Sequence, residues 1–352
     1  MKKQTYKVLG VMSGTSLDGI DLAVCYFDFH KKINYRIELA KTIPYPEHWK
    51  VRLQEGVSLS YEMLTELNSA YTKYLGAIIK TFILENNIKD LDGVCSHGHT
   101  ILHQPHNGIT LQIGNLKEFS KIIEQTVICD FRVQDLMLGG QGAPLVPLGD
   151  RLLFSKYTYC LNLGGFANVS KVQDGICIAY DISPVNVVMN HYAQTLGFPF
   201  DSGGDFARSG VLLPKVLAAL NSLPYYKEEP PKSLGVEWVR KKIMPILEAS
   251  NARPEDILRT CTAHFAYQIA LQFTPGSTVL VTGGGAYNTY LLELIKKDVE
   301  VALIVPSSLL VEFKEALVFG LLGVLKLREE VNCLSSVTGA SRDHSSGVVF
   351  EN

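Results

Sequence analysis

Apolar residues along the chain fall into one rhythm that is played twice. Residues 6–11 and 20–29 are rich in Val, Leu, Ile, Tyr and Phe and read as the two strands of a hairpin. A third apolar run at 33–43 is expected to pair with them. Leu64, Leu67, Tyr71, Tyr74, Ile78 and Phe82 then recur at steps of three and four, which predicts a long amphipathic helix over 60–85. Residues 91–100 predict a short strand running into a polar turn. Further short strands are expected at 110–114 and 126–130, with a helix at 118–125 between them. The rhythm restarts at Thr158: a strand, a Gly turn and a strand in TYCLNLGGFANVSKV, a third strand in DGICIAYD, and a helix in VNVVMNHYAQTLG. Helices at 256–272, 290–297 and 312–330 alternate with strands at 277–285 and in VALIVPS. The repeat is one of topology, not of residues. It predicts a duplicated α/β chain, two lobes with a cleft between them.

Three glycine turns interrupt these strands. The first is GVMSGTSLDGID (10–21), with Gly10, Ser13, Gly14, Thr15, Ser16, Asp18 and Gly19. The second holds Asn162, Gly164, Gly165 and Asn168, the third Gly283, Gly284, Gly285 and Asn288. Glycine lets backbone N–H groups converge on an anion with no side chain in the way. A single Gly pair between strands is often only a tight hairpin. Three turns, two of them at matching places in a duplicated pattern, predict two phosphate loops and one turn under a nucleoside. None fits GxxxxGK[ST], and GxGxxG is absent, so neither a P-loop ATPase nor a dinucleotide fold is indicated.

Composition narrows the picture without changing it. The 352 residues allow two domains. The formal net charge of -2 carries no basic excess, so no nucleic-acid partner is expected. No signal-peptide core and no membrane span are read from the sequence. The seven cysteines are scattered and form no CxxC pair, which suits buried thiols in a reducing cytoplasm.

Six stretches carry a family resemblance: GVMSGTSLDGID (10–21), DFRVQDLMLGGQGAPLVP (130–147), NLGGFANVS (162–170), VTGGGAYN (281–288), EALVFGLLG (315–323) and VTGA (337–340). Together they resemble the anhydro-N-acetylmuramic acid kinases, bacterial enzymes of cell-wall recycling. The resemblance implies the two-lobed actin-like ATPase (ribonuclease H-like) fold, duplicated domains around a central cleft. It implies lobes at 1–133, joined by 341–352, and at 134–340. It also implies ATP, Mg²⁺ and anhydro-N-acetylmuramic acid as ligands, no membrane or nucleic-acid partner, and leaves a homodimer open. Family members open the 1,6-anhydro bridge with water and place the γ-phosphoryl on O6, giving N-acetylmuramate 6-phosphate and ADP.

The resemblance also distributes roles. The three turns above become the ATP and phosphate contacts, with Asp18 near Mg²⁺, reached through water. The step needs a carboxylate base, because water is a poor nucleophile. In AYDISPVNVVMN that base maps to Asp181, with Asn186 five residues on. Ile182, Ser183 and Val185 stand where most members have Thr, Gly and Gly. The competing reading makes Asp181 a cap for the helix near Pro184. Arg132 is expected to hold a sugar oxygen or the lactyl carboxylate, or else to form an inter-lobe salt bridge. Glu315, preferred over Glu312, is expected to contact the sugar or orient the site. His97 and Thr100 are expected to line the sugar side. The run SHGHTILHQP places histidines at 97, 99 and 103, with His106 just beyond, and His99 replaces a family Gln. A zinc reading of these four is weaker than sugar contacts or loop packing, since structural zinc sites usually pair ligands from separated turns. Asp205 and Lys232 receive no role from charge and spacing. Two alternatives stay open: another phosphotransferase of the superfamily, and a non-catalytic ATP-binding scaffold.

Overall fold

The computed structural model describes residues 2–14 and 17–352. Thr15 and Ser16, assigned to the first phosphate loop, lie outside the described residues. The chain forms two compact units, Met1–Leu153 with Phe313–Asn352, and Phe154–Glu312.

The first unit opens with β1 (Thr5–Ser13), β2 (Gly19–Asp28) and β3 (Asn34–Pro44), an antiparallel series. Helices α1 (Glu47–Glu55) and α2 (Tyr61–Glu85) follow. The Ser60 hydroxyl accepts from the Met63 N–H and caps α2. Its Leu64, Leu67, Tyr71, Leu75, Ile79 and Phe82 bury one face against Leu9, Val11, Leu22 and Val94 of the sheet. Each such side chain contributes about 1.5–3 kcal/mol by leaving water. Next come β4 (Gly93–Gln104), β5 (Ile109–Ile113), α3 (Glu118–Ile123), β6 (Val127–Cys129), α4 (Val133–Met137) and α5 (Val146–Leu153). β4 is longer than its expected end at residue 100. Ser96, His97 and His99 are buried inside the strand rather than placed in a polar turn, and residues 99–104 pair with β5.

The second unit repeats the opening: β7 (Tyr159–Leu163), β8 (Phe166–Gln173) and β9 (Ile176–Pro184) are antiparallel, then α6 (Asn186–Thr195) leaves the sheet. A helical stretch that no periodicity anticipated follows, with α7 (Asp205–Ser209), α8 (Pro214–Asn221), α9 (Val236–Trp238) and α10 (Met244–Glu248). Then come α11 (Pro254–Ala270), β10 (Thr278–Thr282), α12 (Thr289–Asp298) and β11 (Ala302–Ile304). The core of this unit gathers Leu161, Val169, Val188, Leu258, Phe265 and Val281. The chain closes with α13 (Ser308–Leu327), α14 (Ser335–Thr338) and β12 (Val348–Phe350), the last pairing antiparallel to β6 as a return strand.

Among the described residues the sheets run β12-β6-β4-β1-β2-β3, with β5 beside β4, and β11-β10-β7-β8-β9. In each, the first strand of the unit lies between an antiparallel neighbour and a parallel one.

The unit boundaries fall at 153/154 and 312/313, not at 133/134 and 340/341. Close packing explains the shift. A Cβ on Gly10 would lie 2.0 Å from the Ala316 carbonyl oxygen, and one on Gly323 would lie 2.2 Å from Cys95 Sγ. Helix α13 therefore rests directly on β1 and β4. A Cβ on Gly149 of α5 would meet Val318 at 2.6 Å, so α5 belongs with α13. Gly10 lies inside β1, where this close approach of α13 requires a glycine.

Candidate functional site

The first turn is built on backbone strain. The Leu17 N–H donates to the Gly14 carbonyl at 3.3 Å, and Leu17 holds φ at 60°. A left-handed Leu costs about 1–2 kcal/mol, a cost of the kind that clusters at ligand sites. Asp18 stands exposed where the chain leaves the turn. Gly19 is buried, and a Cβ there would lie 2.5 Å from the Ile43 carbonyl oxygen, so it serves the close approach of β3. The Ser13 hydroxyl points inward. It bonds Tyr45 Oη at 2.6 Å and His99 Nδ1 at 2.7 Å, and Tyr45 in turn bonds Tyr71. The Ser13 hydroxyl is thus engaged within the protein, and His99 is one of its partners. Burial draws the His99 pKa down to about 4, so it works as a neutral partner. Tyr45 and Tyr71 were missed in the sequence because nothing short-range links them to the turn.

Arg132 is held from two sides in the same unit. Its Nε–H donates to His97 Nε2 at 2.9 Å and its Nη1 to the Gly142 carbonyl at 2.6 Å. His97 Nε2 must accept, so Nδ1 carries the proton and donates to the Gly98 carbonyl at 2.9 Å. Burial, and the Arg132 charge second, push the His97 pKa well below its ordinary value and keep this tautomer. Both ring nitrogens are thus used within the protein, and His97 holds Arg132 in place. Thr100 lies in β4, where its hydroxyl accepts from Gln112 Nε2 at 3.3 Å. His97 and His99 being engaged in this way, the four histidines do not assemble as a zinc site.

Glu315 lies on α13 in this unit, and burial raises its pKa, opposed by the charges of Lys314 and Arg132. Lys314 Nζ sits 2.8 Å from Asp150 Oδ1, both side chains buried. Arg132, lowered by burial to about 10, is supported by Glu315 in return and stays charged at neutral pH. Glu312 is exposed and accepts from the Tyr287 hydroxyl at 2.8 Å in the other unit. The structure thus separates the two glutamates that the sequence left close together.

In the second unit, sheet register aligns the polar residues. Asn162 is opposite Asn168, and Asn168 is opposite Asp181. Thr282 extends this row on β10 beside Asn162. Directly opposed residues share a face, so the row crosses four strands at one edge of the sheet. The turn after Asn162 gives its carbonyls to the start of α6. Gly165 O accepts from Val185 N at 2.8 Å and from Val187 N at 3.2 Å, satisfying the start of α6. Gly165 is exposed, and a Cβ on Gly284 would meet nothing within 4 Å. By contrast, Gly283 at φ 80° and Gly285 pack on Asn162 and Leu163, bringing the two turns side by side. Asn186 Nδ2 donates to the Leu163 carbonyl at 3.1 Å and braces the same corner.

Asn288 closes the third turn. Its Oδ1 accepts from Leu291 N at 2.9 Å, so it caps α12, and its Nδ2 rests on Met189 Sδ.

Asp181 does not cap a helix; α6 starts after Val185 with no side-chain cap. Its Oδ2 accepts from the Leu234 N–H at 2.9 Å, its backbone N–H donates to the Lys232 carbonyl, and its carbonyl accepts from the Tyr225 hydroxyl at 2.6 Å. Burial raises the Asp181 pKa, partly offset by the Leu234 N–H. Ile182 and Val185, the departures from the family pattern, turn into the hydrophobic core. Lys232, left without a role by the sequence, lies on the loop that covers Asp181, with Nζ bonded to the Tyr225 and Glu228 carbonyls.

A profile of the anhydro-N-acetylmuramic acid kinase family matches residues 6–352. The chain belongs to that family. An anhydro-N-acetylmuramic acid kinase of Francisella tularensis subsp. novicida is 33% identical over 94% of this chain and 95% of its own length. One of Chromobacterium violaceum is 34% identical over 97% and 98%. One of Bacillus thuringiensis subsp. konkukian is 32% identical over 95% and 96%. Membership gives the chain its actin-like ATPase fold and its reaction: ATP-dependent opening of the 1,6-anhydro ring with phosphorylation of O6. A kinase of this family uses ATP with Mg²⁺. No helix among the described residues is long and apolar enough to cross a membrane.

Proposed function

We propose that Asp181 is the general base of this kinase reaction, and that Arg132 and Glu315 hold the sugar. The observation that carries the reading is Asp181 itself: half-buried, its pKa raised, at the end of a polar row beside open glycine turns. The water oxygen attacks C1 of the sugar while Asp181 takes its proton. The C1–O6 bond breaks, O6 bonds to the γ-phosphorus, and ADP leaves. A base with a raised pKa matches the task, because it binds the proton more tightly than a solvated carboxylate does. Arg132 keeps N–H groups beyond those given to His97 and Gly142, and these suit a carboxylate or sugar oxygen. Glu315 offers an acceptor whose charge Arg132 balances.

The turn at Gly164–Gly165 suits phosphate oxygens, and the open turn at Gly284, where a Cβ would meet nothing within 4 Å, suits a nucleoside lying over it. The matching strand order of the two sheets supports a duplicated, two-lobed architecture. All seven cysteines are buried and none is in a disulfide, which accords with a cytoplasmic setting.

Mg²⁺ takes oxygen ligands and dehydrates reluctantly, and an exposed carboxylate at the first turn fits an ion held through water. When bound, the ion neutralises charge on the β and γ oxygens. Asp18 is its proposed anchor. Asp18→Asn is therefore expected to lower turnover strongly while sugar affinity, read by calorimetry, changes little. Turnover close to the parent at ordinary Mg²⁺ removes Asp18 from the role.

The reaction is tested with ¹⁸O-labelled water. The expected product carries the label at C1 and none in the phosphoryl group, and ATP is consumed with anhydro-N-acetylmuramic acid but not with free N-acetylmuramic acid. Label in phosphate, or ATP use that ignores the anhydro ring, defeats the reading.

A further inference from the structure

We propose that Asp135, Cys333 and His344 form a binding site for one divalent cation of the zinc type, separate from the kinase chemistry. The three are fully buried, and their ligand atoms lie within 4.8 Å of one another. Cys333 and His344 face each other across an isolated antiparallel bridge, where His344 N–H donates to the Cys333 carbonyl and Cys333 N–H to the His344 carbonyl, both at 3.1 Å. Asp135 comes to them from α4. Room for its carboxylate depends on Gly140, where a Cβ would sit 2.1 Å from Asp135 Oδ2.

The orientation of His344 points to a ligand. Its Nδ1 lies 3.1 Å from the Arg342 carbonyl, an acceptor, so Nδ1 carries a proton. In the neutral ring Nε2 is then left with a lone pair. That atom is buried, has no hydrogen-bond partner, and lies 3.6 Å from Asp135 Oδ1. A ring lone pair facing a carboxylate oxygen in a dry interior is repulsive unless something positive lies between them. Cys333 Sγ approaches the same oxygen at 3.1 Å. Zinc bonds of about 2.0 Å to N and O and about 2.3 Å to S place tetrahedral ligand atoms roughly 3.3–3.6 Å apart, close to these separations.

The donor set selects the ion. One thiolate, one imidazole and one carboxylate suit zinc and its soft neighbours, whereas Mg²⁺ prefers all-oxygen shells. Binding forms the metal–sulfur bond and releases the Cys333 thiol proton to solvent. The doubly positive ion, the thiolate and the carboxylate then sum to zero charge, which a buried site tolerates. Water completes the fourth position. Thr338 Oγ1 and Gly142 N–H, at 2.7 Å each from the Asp135 oxygens, fix the carboxylate from outside. Gly142 is also the residue whose carbonyl accepts from Arg132, so the ion would brace the loop against which Arg132 is held.

The test uses the full chain, free of nucleotide, purified without chelators, in excess Mg²⁺. The expected result is about one zinc per chain by elemental analysis. Cobalt exchange should give a thiolate-to-cobalt charge-transfer band. Cys333→Ser and His344→Gln should each abolish the band, and a chelator should lower the melting temperature of the parent but not of the variants. Folded parent protein that neither holds nor takes up zinc or cobalt overturns the proposal. So does uptake that both variants retain. So does a nitrogen NMR signature showing His344 as an imidazolium paired with Asp135 in the presence of zinc. Should Cys333→Ser fail to fold, His344→Gln and the parent titration decide alone.

Discussion

Asp181→Asn should fold, bind ATP and sugar, and turn over about 10²–10⁴-fold more slowly, the usual worth of a positioned general base. Asn keeps the size of Asp, and its Oδ1 can still accept the Leu234 N–H that Asp181 Oδ2 now receives. It removes only the ability to take a proton. The stability sign separates this from a structural role. Burial raises the Asp181 pKa in the folded protein, so the folded state binds that proton more tightly than the unfolded chain. Stability from this group is therefore present at pH below its unfolded value and is lost as pH rises through the raised folded value. At neutral pH the ionised carboxylate is a burden, and Asn should leave the melting temperature unchanged or higher. A structural Asp would instead lose stability with little loss of turnover per folded molecule. The same shift sets the acid limb of the pH–rate profile, which should fall at a pH above the ordinary carboxylate range. Turnover, melting temperature and sugar binding measured on one preparation decide the matter. Near-parent turnover in a folded variant rules Asp181 out.

Much of the scaffold was written in local pattern. The alternation of β1, β2 and β3, the three-four spacing of α2 and the restart at Thr158 are signals within a few residues of each other, and the observed elements follow them. What was not legible depends on partners far away in sequence. Ser13 beside a Gly turn looks like a phosphate ligand until Tyr45 and His99 occupy its hydroxyl. That Arg132 would take the lone pair of His97, thirty-five residues away, had no local signal either. Gly10 looks like part of a loop until α13, roughly three hundred residues on, crosses it at backbone distance. The division into compact units shows the same dependence, since α5 and most of α13 fall at residues read with the second unit and group with the first. Asp181 was named by resemblance, but its cover by Lys232 and Leu234 had no signal at all: the loop lies some fifty residues downstream, in a stretch without period.

Arg132→Lys should lower kcat/KM about 10–10²-fold, the scale of losing a charge-assisted, bidentate hold on the sugar. Charge is conserved, so the loss would report geometry. Arg132 spends its Nε–H on His97 and an Nη1 hydrogen on Gly142, which leaves the outer edge of a rigid fork to a ligand. A lysine ammonium is a point charge on a flexible stem and cannot serve both anchors and a bidentate partner together. His97→Gln provides the companion measurement. Its amide oxygen can accept from Arg132 as Nε2 does now, so it should keep most of the activity, while His97→Leu should approach Arg132→Lys. Because burial and the Arg132 charge hold His97 neutral far below its ordinary titration range, the pH–rate profile should show no break from this histidine near pH 6.5. Equal activity in all three variants, or a His97-dependent break near neutrality, would remove both the fork and its anchor from the reaction.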